Sequence, residues 1–350
     1  MSSSATTDTQ VADRKLEHIR AIESDPEVER RGSGFDKVHL THRALPELDF
    51  DAVDTGTVFL GKPLSFPMLI SSMTGGHGKE ILRINRNLAE AAERTGVAMA
   101  VGSQRVMFTD PQSRSSFALR EHAPSVPLLA NIGAVQLNYG LDASHCRLAL
   151  DTLEADALYL HLNPLQECVQ PEGDRNFARL NERIAALVQA VPEPVILKEV
   201  GAGLSASDVA AGLASGVRHF DVAGRGGTSW SRIEYHRRRA EDDDLGLVFQ
   251  DWGLTTVDAL IDARAELTRQ QSQATLIASG GIRNGIDMAK CLVLGADVCG
   301  VAAPLLAAAQ HSVESLVERI NRLRSEFKTA MFLLGCAEVD ALKHNASLLR

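Results

Sequence analysis

Short apolar runs alternate with longer amphipathic segments along most of this chain, and each apolar run ends in small or polar residues. The pattern is clearest at 95–103, 215–224 and 294–302, where a helix-like segment ends at a small residue or glycine before the run begins. Short buried strands that alternate with amphipathic helices are typical of βα units in a parallel sheet. The pattern therefore predicts an α/β protein.

Eight such runs are expected to form strands. The distances between their last residues vary from 22 to 57 positions, and eight repeats of this size fit a (β/α)8 TIM barrel, which takes about 250 residues. A doubly wound Rossmann sheet is the competing α/β fold, but no Gly-x-Gly-x-x-Gly follows the first run. We therefore predict a single TIM barrel, with strands near 68–72, 98–101, 128–131, 157–161, 195–199, 219–222, 276–279 and 298–301.

The segments outside the strands also carry expectations. Residues 1–12 are rich in Ser and Thr and predict a disordered tail, while 13–67 is expected to pack on the barrel or over its mouth and cap the substrate. The barrel would span 68–306, followed by C-terminal helices in 307–350 that are separated at about Ser325. The long loop 225–246 predicts a lid or a disordered excursion, and its charged run at 237–244 predicts a solvated face. Because nothing resembles a linker, 13–350 is expected to be one domain.

Composition excludes several classes of partner. The chain has 350 residues, 45% of them hydrophobic, and a formal charge of −9 that argues against nucleic acid or an anionic membrane. Its five cysteines show no Cys-x-x-Cys spacing, which favours a reducing compartment. The apolar run 298–309 is shorter than the ~20 residues needed to cross a bilayer, and the start has no signal-peptide pattern. The expected location is the cytoplasm.

The densest group of polar residues follows the fourth predicted strand. His161, Asn163, Gln166 and Glu167 come within seven positions, and Pro164 ends the strand because it lacks an N–H donor. In a barrel these side chains lie at the C-terminal mouth, where active sites are built. A carboxylate beside amides suits a hard cation and a polar substrate. The alternative is an ordinary βα loop with an acid at the start of a helix.

A phosphate cradle is predicted after the seventh strand. Residues 279–283 read Ser-Gly-Gly-Ile-Arg, and Asn284 is expected to start a helix. Glycines allow close approach of the backbone, and a helix N-terminus attracts an anion, although a tight turn with a capping Asn would have the same sequence. Lys198, at the end of the fifth strand, can stabilise an anionic reduced flavin.

Six motifs together resemble the type 2 isopentenyl-diphosphate isomerases, an FMN-dependent family. The similarity runs from Arg14 to about Leu306. Glycine-rich loops are shared with other flavin barrels, whereas Arg14-Lys15 and Gln166-Glu167 are specific to this family. The motifs are Arg-Lys-Leu-Glu-His at 14–18, Ser-Met-Thr-Gly-Gly at 72–76, Gly-Ser-Gln-Arg at 102–105, His-Leu-Asn-Pro-Leu-Gln-Glu at 161–167, Gly-Gly-Thr-Ser-Trp at 226–230 and the 279–283 cradle.

The resemblance implies interconversion of isopentenyl and dimethylallyl diphosphate by a 1,3-allylic proton shift. It implies reduced FMN and Mg²⁺ as cofactors, NADPH as reductant, and a homo-oligomer, a tetramer or octamer. Gln166 and Lys198 would be catalytic, and Glu167 would bind the metal. The implied substrate contacts are Arg14, Lys15, His18, Ser103, Gln104, Arg105, Asn163 and Gln166. The implied FMN contacts are Ser72, Met73, Thr74, Ser103, Asn131, Lys198, Thr228, Gly280, Gly281, Arg283, Ala302 and Ala303.

The proton chemistry leaves a question about Gln166. A neutral amide does not titrate near pH 7, so it is an unusual acid or base on its own. Our hypothesis is that the flavin protonates carbon while Gln166 orients the reacting group or relays a proton. Glu234 is a further candidate acid, or else an exposed glutamate of the lid.

Other functions remain as alternatives. An FMN oxidoreductase of the hydroxy-acid oxidase type would need a histidine base near the seventh strand, and 279–283 contains none. An IMP dehydrogenase would need a cysteine nucleophile in 224–230, which also contains none. A non-catalytic FMN-binding barrel would require neither Glu167 nor the Arg14-Lys15 pair.

Overall fold

Eight parallel strands close into a barrel in this computed structural model, which describes residues 21–22, 24–73, 75–76, 78–237 and 243–350. A short antiparallel pair, β1 (Thr57–Phe59) and β2 (Lys62–Leu64), precedes them. The barrel strands follow in chain order around the ring, and the last pairs with the first. They are β3 (Met68–Ile70), β4 (Ala98–Ala100), β5 (Leu128–Gly133), β6 (Ala157–Leu162), β7 (Val195–Glu199), β8 (His219–Asp221), β9 (Thr275–Ser279) and β10 (Val298–Val301).

Helices connect the strands and cover the outside of the barrel. The first, α1, buries Ile81, Ile84, Leu88 and Ala92 on one face, at the spacing of an amphipathic helix. The helices are α1 (Lys79–Thr95), α2 (Val106–Thr109), α3 (Ala143–Leu153), α4 (Pro164–Val169), α5 (Leu180–Ala190), α6 (Ala206–Ala214), α7 (Trp230–Arg237), α8 (Leu245–Val248), α9 (Thr256–Arg269), α10 (Gly285–Val293), α11 (Ala303–His311) and α12 (Val313–Leu334). Within the described ranges, every helix is too short or too polar to span a lipid bilayer.

The predicted TIM barrel is confirmed, and each predicted strand lies where the hydrophobic pattern put it. The main difference is at β5 and β6, which run further than expected. The extra residues of β5 extend its pairing with β6 to Gly133 opposite His161, and the extra residue of β6, Leu162, pairs with Glu199 of β7. Pro164 then occupies the first turn of α4, where a missing N–H is tolerated.

The β1–β2 hairpin closes the end of the barrel opposite the mouth. Phe59 and Leu64 pack with inward-facing barrel residues such as Tyr159. Lys62 Nζ lies 2.7 Å from Asp156 Oδ1, just before β6 begins. This part of 13–67 therefore does not cap the mouth as expected. Three-residue strands are too short to produce a recognisable alternation, so the sequence did not reveal them.

Two further expectations need correction. The separation near Ser325 is wrong, because α12 is continuous from Val313 to Leu334. The Ser325 hydroxyl donates to the Asn321 carbonyl at 3.0 Å, so it is satisfied inside the helix and does not end it. Part of the long loop 225–246 is also helical, because α7 covers Trp230–Arg237 and α8 begins at Leu245; residues 238–242, which hold most of the charged run, lie outside the described part of the chain.

Candidate active site

A cavity opens at the C-terminal ends of the barrel strands. Glycines and small side chains after β3, β9 and β10 form one wall, and longer polar side chains from β5, β6 and β7 form another. The mouth therefore combines a place for backbone contacts with a place for side-chain chemistry, as barrel enzymes require. Of the residues implied by the resemblance, those lining the cavity are Ser72, Met73, Ser103, Asn131, Gln166, Lys198, Thr228, Gly280, Gly281, Arg283, Ala302 and Ala303. Arg14, Lys15, His18 and Thr74 lie outside the described residues.

Lys198 forms the charged floor of the cavity. It is the fourth residue of β7, and its side chain is 8% exposed. Its Nζ lies 3.2 Å from Asp221 Oδ2 and 3.3 Å from Ser279 Oγ. Sequence reasoning identified Lys198 but missed Asp221, which appears as a single acid within an apolar run. The floor therefore presents a cation whose counter-ion lies below it.

Asn131 connects three sides of the cavity through its amide. Its Nδ2 donates to Ser72 Oγ at 2.9 Å and to the Val101 carbonyl at 3.0 Å. Its Oδ1 must then be the acceptor in the 2.8 Å contact with His161 Nδ1. His161 thus donates from Nδ1, and its orientation is fixed against β5. His161 was predicted to lie at the mouth, but the sequence did not indicate that Asn131 is its hydrogen-bond partner.

Gln104 lies behind the cavity wall. It is fully buried, with Oε1 accepting from the Asn131 N–H at 2.9 Å and Nε2 donating to the Ala149 carbonyl at 3.0 Å. Both ends of the amide are therefore used within the protein. This geometry supports a role in holding Asn131 and does not support the direct substrate contact that the resemblance implied.

The anion-binding end of the cavity differs from the sequence prediction. Gly280 and Gly281 have φ of +104° and +72°, and they approach the backbone carbonyls of Gly224 and Gly226. The N-terminus of α10 is not available to an anion, because the N–H groups of Gly285 and Asp287 donate to side chains. Those acceptors are Glu326 Oε2 and Asn284 Oδ1, at 3.0 and 2.8 Å.

A different helix offers its N-terminus to the cavity. Ala302 precedes α11 without a side-chain cap, and both Ala302 and Ala303 line the cavity. Pro304 has no N–H and the Leu305 N–H donates to the Ala302 carbonyl at 2.9 Å, so the Ala303 N–H is the group of this first turn that can attract an anion, together with the helix dipole. The Gly280-Gly281 turn and the start of α11, rather than the start of α10, therefore line this end of the cavity.

A row of amides and carboxylates lines the β6 side of the mouth. Gln166 Nε2 donates to Glu234 Oε1 at 2.8 Å, and Asn163 Nδ2 donates to Gln166 Oε1 at 3.2 Å. Glu234 is fully buried on α7, so it is not an exposed lid residue. Its second oxygen pairs with Arg237 at 2.5 Å. Gln166 is thus held between Asn163 and Glu234.

Glu167 lies one layer behind Gln166. Its Oε1 accepts from Asn163 Nδ2 at 2.9 Å, and its Oε2 accepts from the Asp174 N–H at 2.6 Å. Burial raises the pKa of Glu167 above its ordinary value. Asn163 Oδ1 is buried and accepts no hydrogen bond from the described residues. Arg105 pairs with Asp174 Oδ2 at 2.7 Å, so Arg105, Asn163 and Glu167 are close together but outside the cavity lining.

The segment before the barrel contributes two residues that the sequence did not suggest. Glu29 lies in the cavity wall, pairs with Arg283 at 2.5 Å and accepts from the Thr228 hydroxyl. Arg30 donates to the carbonyls of Gly201 and Gln250, both at 2.7 Å. It also reaches the carbonyls of Gly227 and Thr228, both at 3.3 Å. Burial lowers the pKa of Arg30 to about 10, which still leaves it protonated at neutral pH.

Arg30 is expected to hold the loops of the mouth together. Arg30→Met would leave several carbonyls without their charged donor, and we expect a loss of about 3 kcal/mol in the free energy of unfolding. Arg31→Met is the matched control, because Arg31 is exposed and should change stability by less than about 0.5 kcal/mol. Chemical denaturation of both variants measures the difference. Equal stabilities would contradict the role of Arg30.

Comparison with known proteins adds to this geometry. A family model described as FMN-dependent dehydrogenase matches residues 149–349. The isopentenyl-diphosphate delta-isomerase of Paracoccus zeaxanthinifaciens is 68% identical over 343 residues, covering 98% of this chain and 98% of the relative. The protein of the same name from Hydrogenovibrio crunogenus is 55% identical over 344 residues, covering 98% and 99%.

Solved structures are more distant. A flavocytochrome b2 mutant with pyruvate bound has a TM-score of 0.68 and 19% identity, covering 95% of this chain and 82% of that chain. A mandelate oxidase mutant with an FMN adduct has a TM-score of 0.63 and 20% identity, covering 91% and 89%. At such low identity this likeness concerns the barrel fold alone.

Proposed function

The chain belongs to the FMN-dependent family of isopentenyl-diphosphate delta-isomerases, and from that membership we propose that it interconverts isopentenyl and dimethylallyl diphosphate by a 1,3-allylic proton shift, with reduced FMN and Mg²⁺. One observation carries the proposal. A single cavity combines a glycine turn, a buried lysine on its floor and Gln166 on its wall, and Gln166 donates to the buried Glu234 carboxylate behind that wall. These are the groups needed for a phosphorylated flavin and a proton transfer.

The cavity fits FMN at both ends of the cofactor. The Gly280-Gly281 turn and the start of α11 would hold the phosphate, because the turn carries no Cβ and the helix start has no capping side chain. Lys198 would lie beneath the ring system and stabilise negative charge on it. The reduced cofactor, when bound, supplies an electron-rich ring that can exchange a proton with substrate carbon.

Gln166 is assigned the orienting role on the substrate side. Its amide is fixed by Asn163 and Glu234, so its position does not depend on the substrate. A preorganised dipole of this kind acts without reorganising during the reaction. Glu234 supplies the titratable carboxylate that Gln166 lacks, and the 2.8 Å hydrogen bond between them is a route for a proton.

Glu167 and Asn163 are proposed to hold Mg²⁺. No group of three or more His, Cys, Asp or Glu side chains with metal-binding geometry occurs in the described part of the chain. Mg²⁺ does not require one, because it keeps several waters and often uses one or two carboxylates with substrate phosphates. The unpaired Asn163 Oδ1 beside the Glu167 carboxylate offers the oxygen chemistry that this ion prefers.

The Mg²⁺ requirement should respond to Glu167 and to pH. We expect Glu167→Gln to raise the Mg²⁺ concentration for half-maximal activity by about tenfold or more. Burial raises the pKa of Glu167, so as pH falls a proton displaces Mg²⁺ earlier than it would from an exposed glutamate. Activity measured against Mg²⁺ at several pH values tests this. Glu182→Gln, on the exposed face of α5, is the control and should behave as the unmodified protein.

The activity itself is tested directly. Protein loaded with FMN, reduced by NADPH without oxygen, should convert isopentenyl diphosphate to dimethylallyl diphosphate when Mg²⁺ is present. Omission of FMN or chelation of Mg²⁺ should each stop the conversion. Equal conversion without FMN would overturn the proposed chemistry. Oxidation of 2-hydroxy acids would instead support the hydroxy-acid oxidase alternative.

Two features of the proposal concern partners. NADPH is proposed as the reductant of the flavin, and the chain is proposed to act as a homo-oligomer in the cytoplasm. Spectroscopic reduction of the bound flavin by NADPH tests the first. Light scattering of the purified protein tests the second.

A further inference from the structure

Asp221 is the most enclosed charged group beneath the cavity. It is fully buried at the end of β8 and lies opposite Lys198 in the register with β7. Its Oδ2 accepts from the Tyr159 hydroxyl at 2.8 Å and lies 3.2 Å from Lys198 Nζ. Its Oδ1 accepts from the Ser279 hydroxyl at 2.6 Å and from the Ala223 N–H at 3.3 Å.

The groups around Asp221 act as donors towards its carboxylate. Burial, together with the adjacent carboxylate, raises the pKa of Tyr159 well above its ordinary value, so the phenol stays a donor. Ser279 donates to Asp221 while it accepts from Lys198, at 3.3 Å. Oδ1 therefore has two donors, Ser279 and Ala223, and Oδ2 has Tyr159 and the Lys198 ammonium. Burial of a carboxylate is tolerated when its oxygens are satisfied in this way.

Packing alone does not explain a charge at this position. Apart from the groups that bond to it, the barrel interior near Asp221 contains apolar side chains such as Leu129, Ile196 and Ile277. A buried ion pair rarely adds stability over well-packed apolar residues of the same volume. Asp221 is, however, the one carboxylate among the described residues within 4.0 Å of Lys198 Nζ. Without it, the ammonium would lack a counter-ion in a site shielded from water.

We propose that Asp221 is a positioning residue, which holds the Lys198 ammonium fixed at the cavity floor and thereby makes the site favour reduced over oxidised FMN. The inference rests on the proposed function, because it assumes that FMN lies above Lys198. Asp221 acts through the lysine and does not itself touch the cavity, which its side chain does not line. The Asp221 carboxylate itself would repel a reduced, anionic ring, whereas the lysine that it positions would attract that ring. The direct and indirect effects of Asp221 on the binding of reduced FMN therefore have opposite signs.

The opposite signs make the proposal testable by binding. Oxidised FMN and dithionite-reduced FMN are titrated without oxygen into the apoprotein of the full chain, and the ratio of the two dissociation constants is measured. Asp221→Asn should weaken reduced FMN at least tenfold relative to oxidised FMN, which corresponds to about 30 mV for a two-electron couple. In the Lys198→Met background the same substitution should produce no such loss, because the residue through which it acts is gone.

Tyr159→Phe provides a second measurement that does not depend on the folding of Asp221→Asn. It keeps Asp221 and the aromatic ring, whose centroid lies 5.7 Å from Lys198 Nζ, and removes the hydroxyl alone. The ratio of the two dissociation constants should then stay within about twofold of its value in the unmodified protein, since Asp221 still holds the lysine. A tenfold weaker binding of reduced relative to oxidised FMN in Tyr159→Phe would overturn the proposal, because the hydroxyl and not the carboxylate would then position the lysine.

The remaining outcomes are also decisive. Stronger binding of reduced FMN in Asp221→Asn, or an equal loss in the Lys198→Met background, would overturn the proposal while leaving the proposed function intact. If the unmodified apoprotein binds neither form of FMN, the proposed function fails and the inference fails with it.

Discussion

Replacement of Lys198 by methionine should lower kcat by about 10²- to 10³-fold, the effect seen when one preorganised electrostatic contact to a developing charge is removed. Methionine has a similar length but no charge, so the shape of the cavity floor is kept. Lys198 is nearly enclosed, and its attraction for a negative ring is strong because water does not screen it there. Rates of isomerisation at saturating FMN, Mg²⁺ and substrate measure the loss.

A control separates this effect from a loss of stability. Lys290 is a partly buried lysine on α10 whose Nζ donates to the Phe35 carbonyl at 2.7 Å, away from the cavity lining. Lys290→Met should therefore lower the thermal midpoint and leave kcat nearly unchanged. If Lys198→Met with bound FMN turned over as fast as the unmodified protein, the lysine would have no part in the reaction.

The barrel could be predicted because its determinants are local. Each strand is a short apolar run between amphipathic helices, and a parallel barrel needs little more than eight such units. The β1–β2 hairpin could not be predicted in the same way. Its three-residue strands have no clear alternation, and they are stabilised by contacts between Phe59, Leu64 and the barrel interior. Ser325 shows the reverse error, since a polar residue within a helix is not a break when its hydroxyl has a partner.

The site residues that could be predicted are also those whose position depends on the local sequence. Lys198, Gln166 and Gly281 lie within four residues of the C-terminal end of a strand, so their place at the mouth follows from the topology. The direction of a side chain does not follow, and Gln104 turns into the wall although its neighbour Ser103 lines the cavity. Arg30 was missed because its acceptors lie at least 171 positions away in the chain. Long-range contacts of this kind leave no mark in the local pattern.

Gly281→Ala should abolish tight binding of FMN, with a rise in the dissociation constant of about 100-fold or more, because a displacement near 1 Å suffices for such a loss. An added Cβ would lie 2.4 Å from the Gly226 carbonyl oxygen and 2.9 Å from Ser33 Cβ. Neither neighbour is the end of a flexible side chain, so the two loops must move apart. That movement would open the turn proposed to hold the phosphate. Titration of FMN into the apoprotein measures the change.

Gly61→Ala is a closely matched control for the backbone strain. Gly61 has φ of +75° against +72° for Gly281, and an added Cβ there would meet nothing within 4 Å. Both variants carry the left-handed penalty of about 1–2 kcal/mol, but Gly61 lies between β1 and β2 at the far end of the barrel. Gly61→Ala should therefore lose some stability and keep its affinity for FMN. Equal affinity in the two variants would mean that the close approach of Gly281 to Gly226 does not shape the phosphate site.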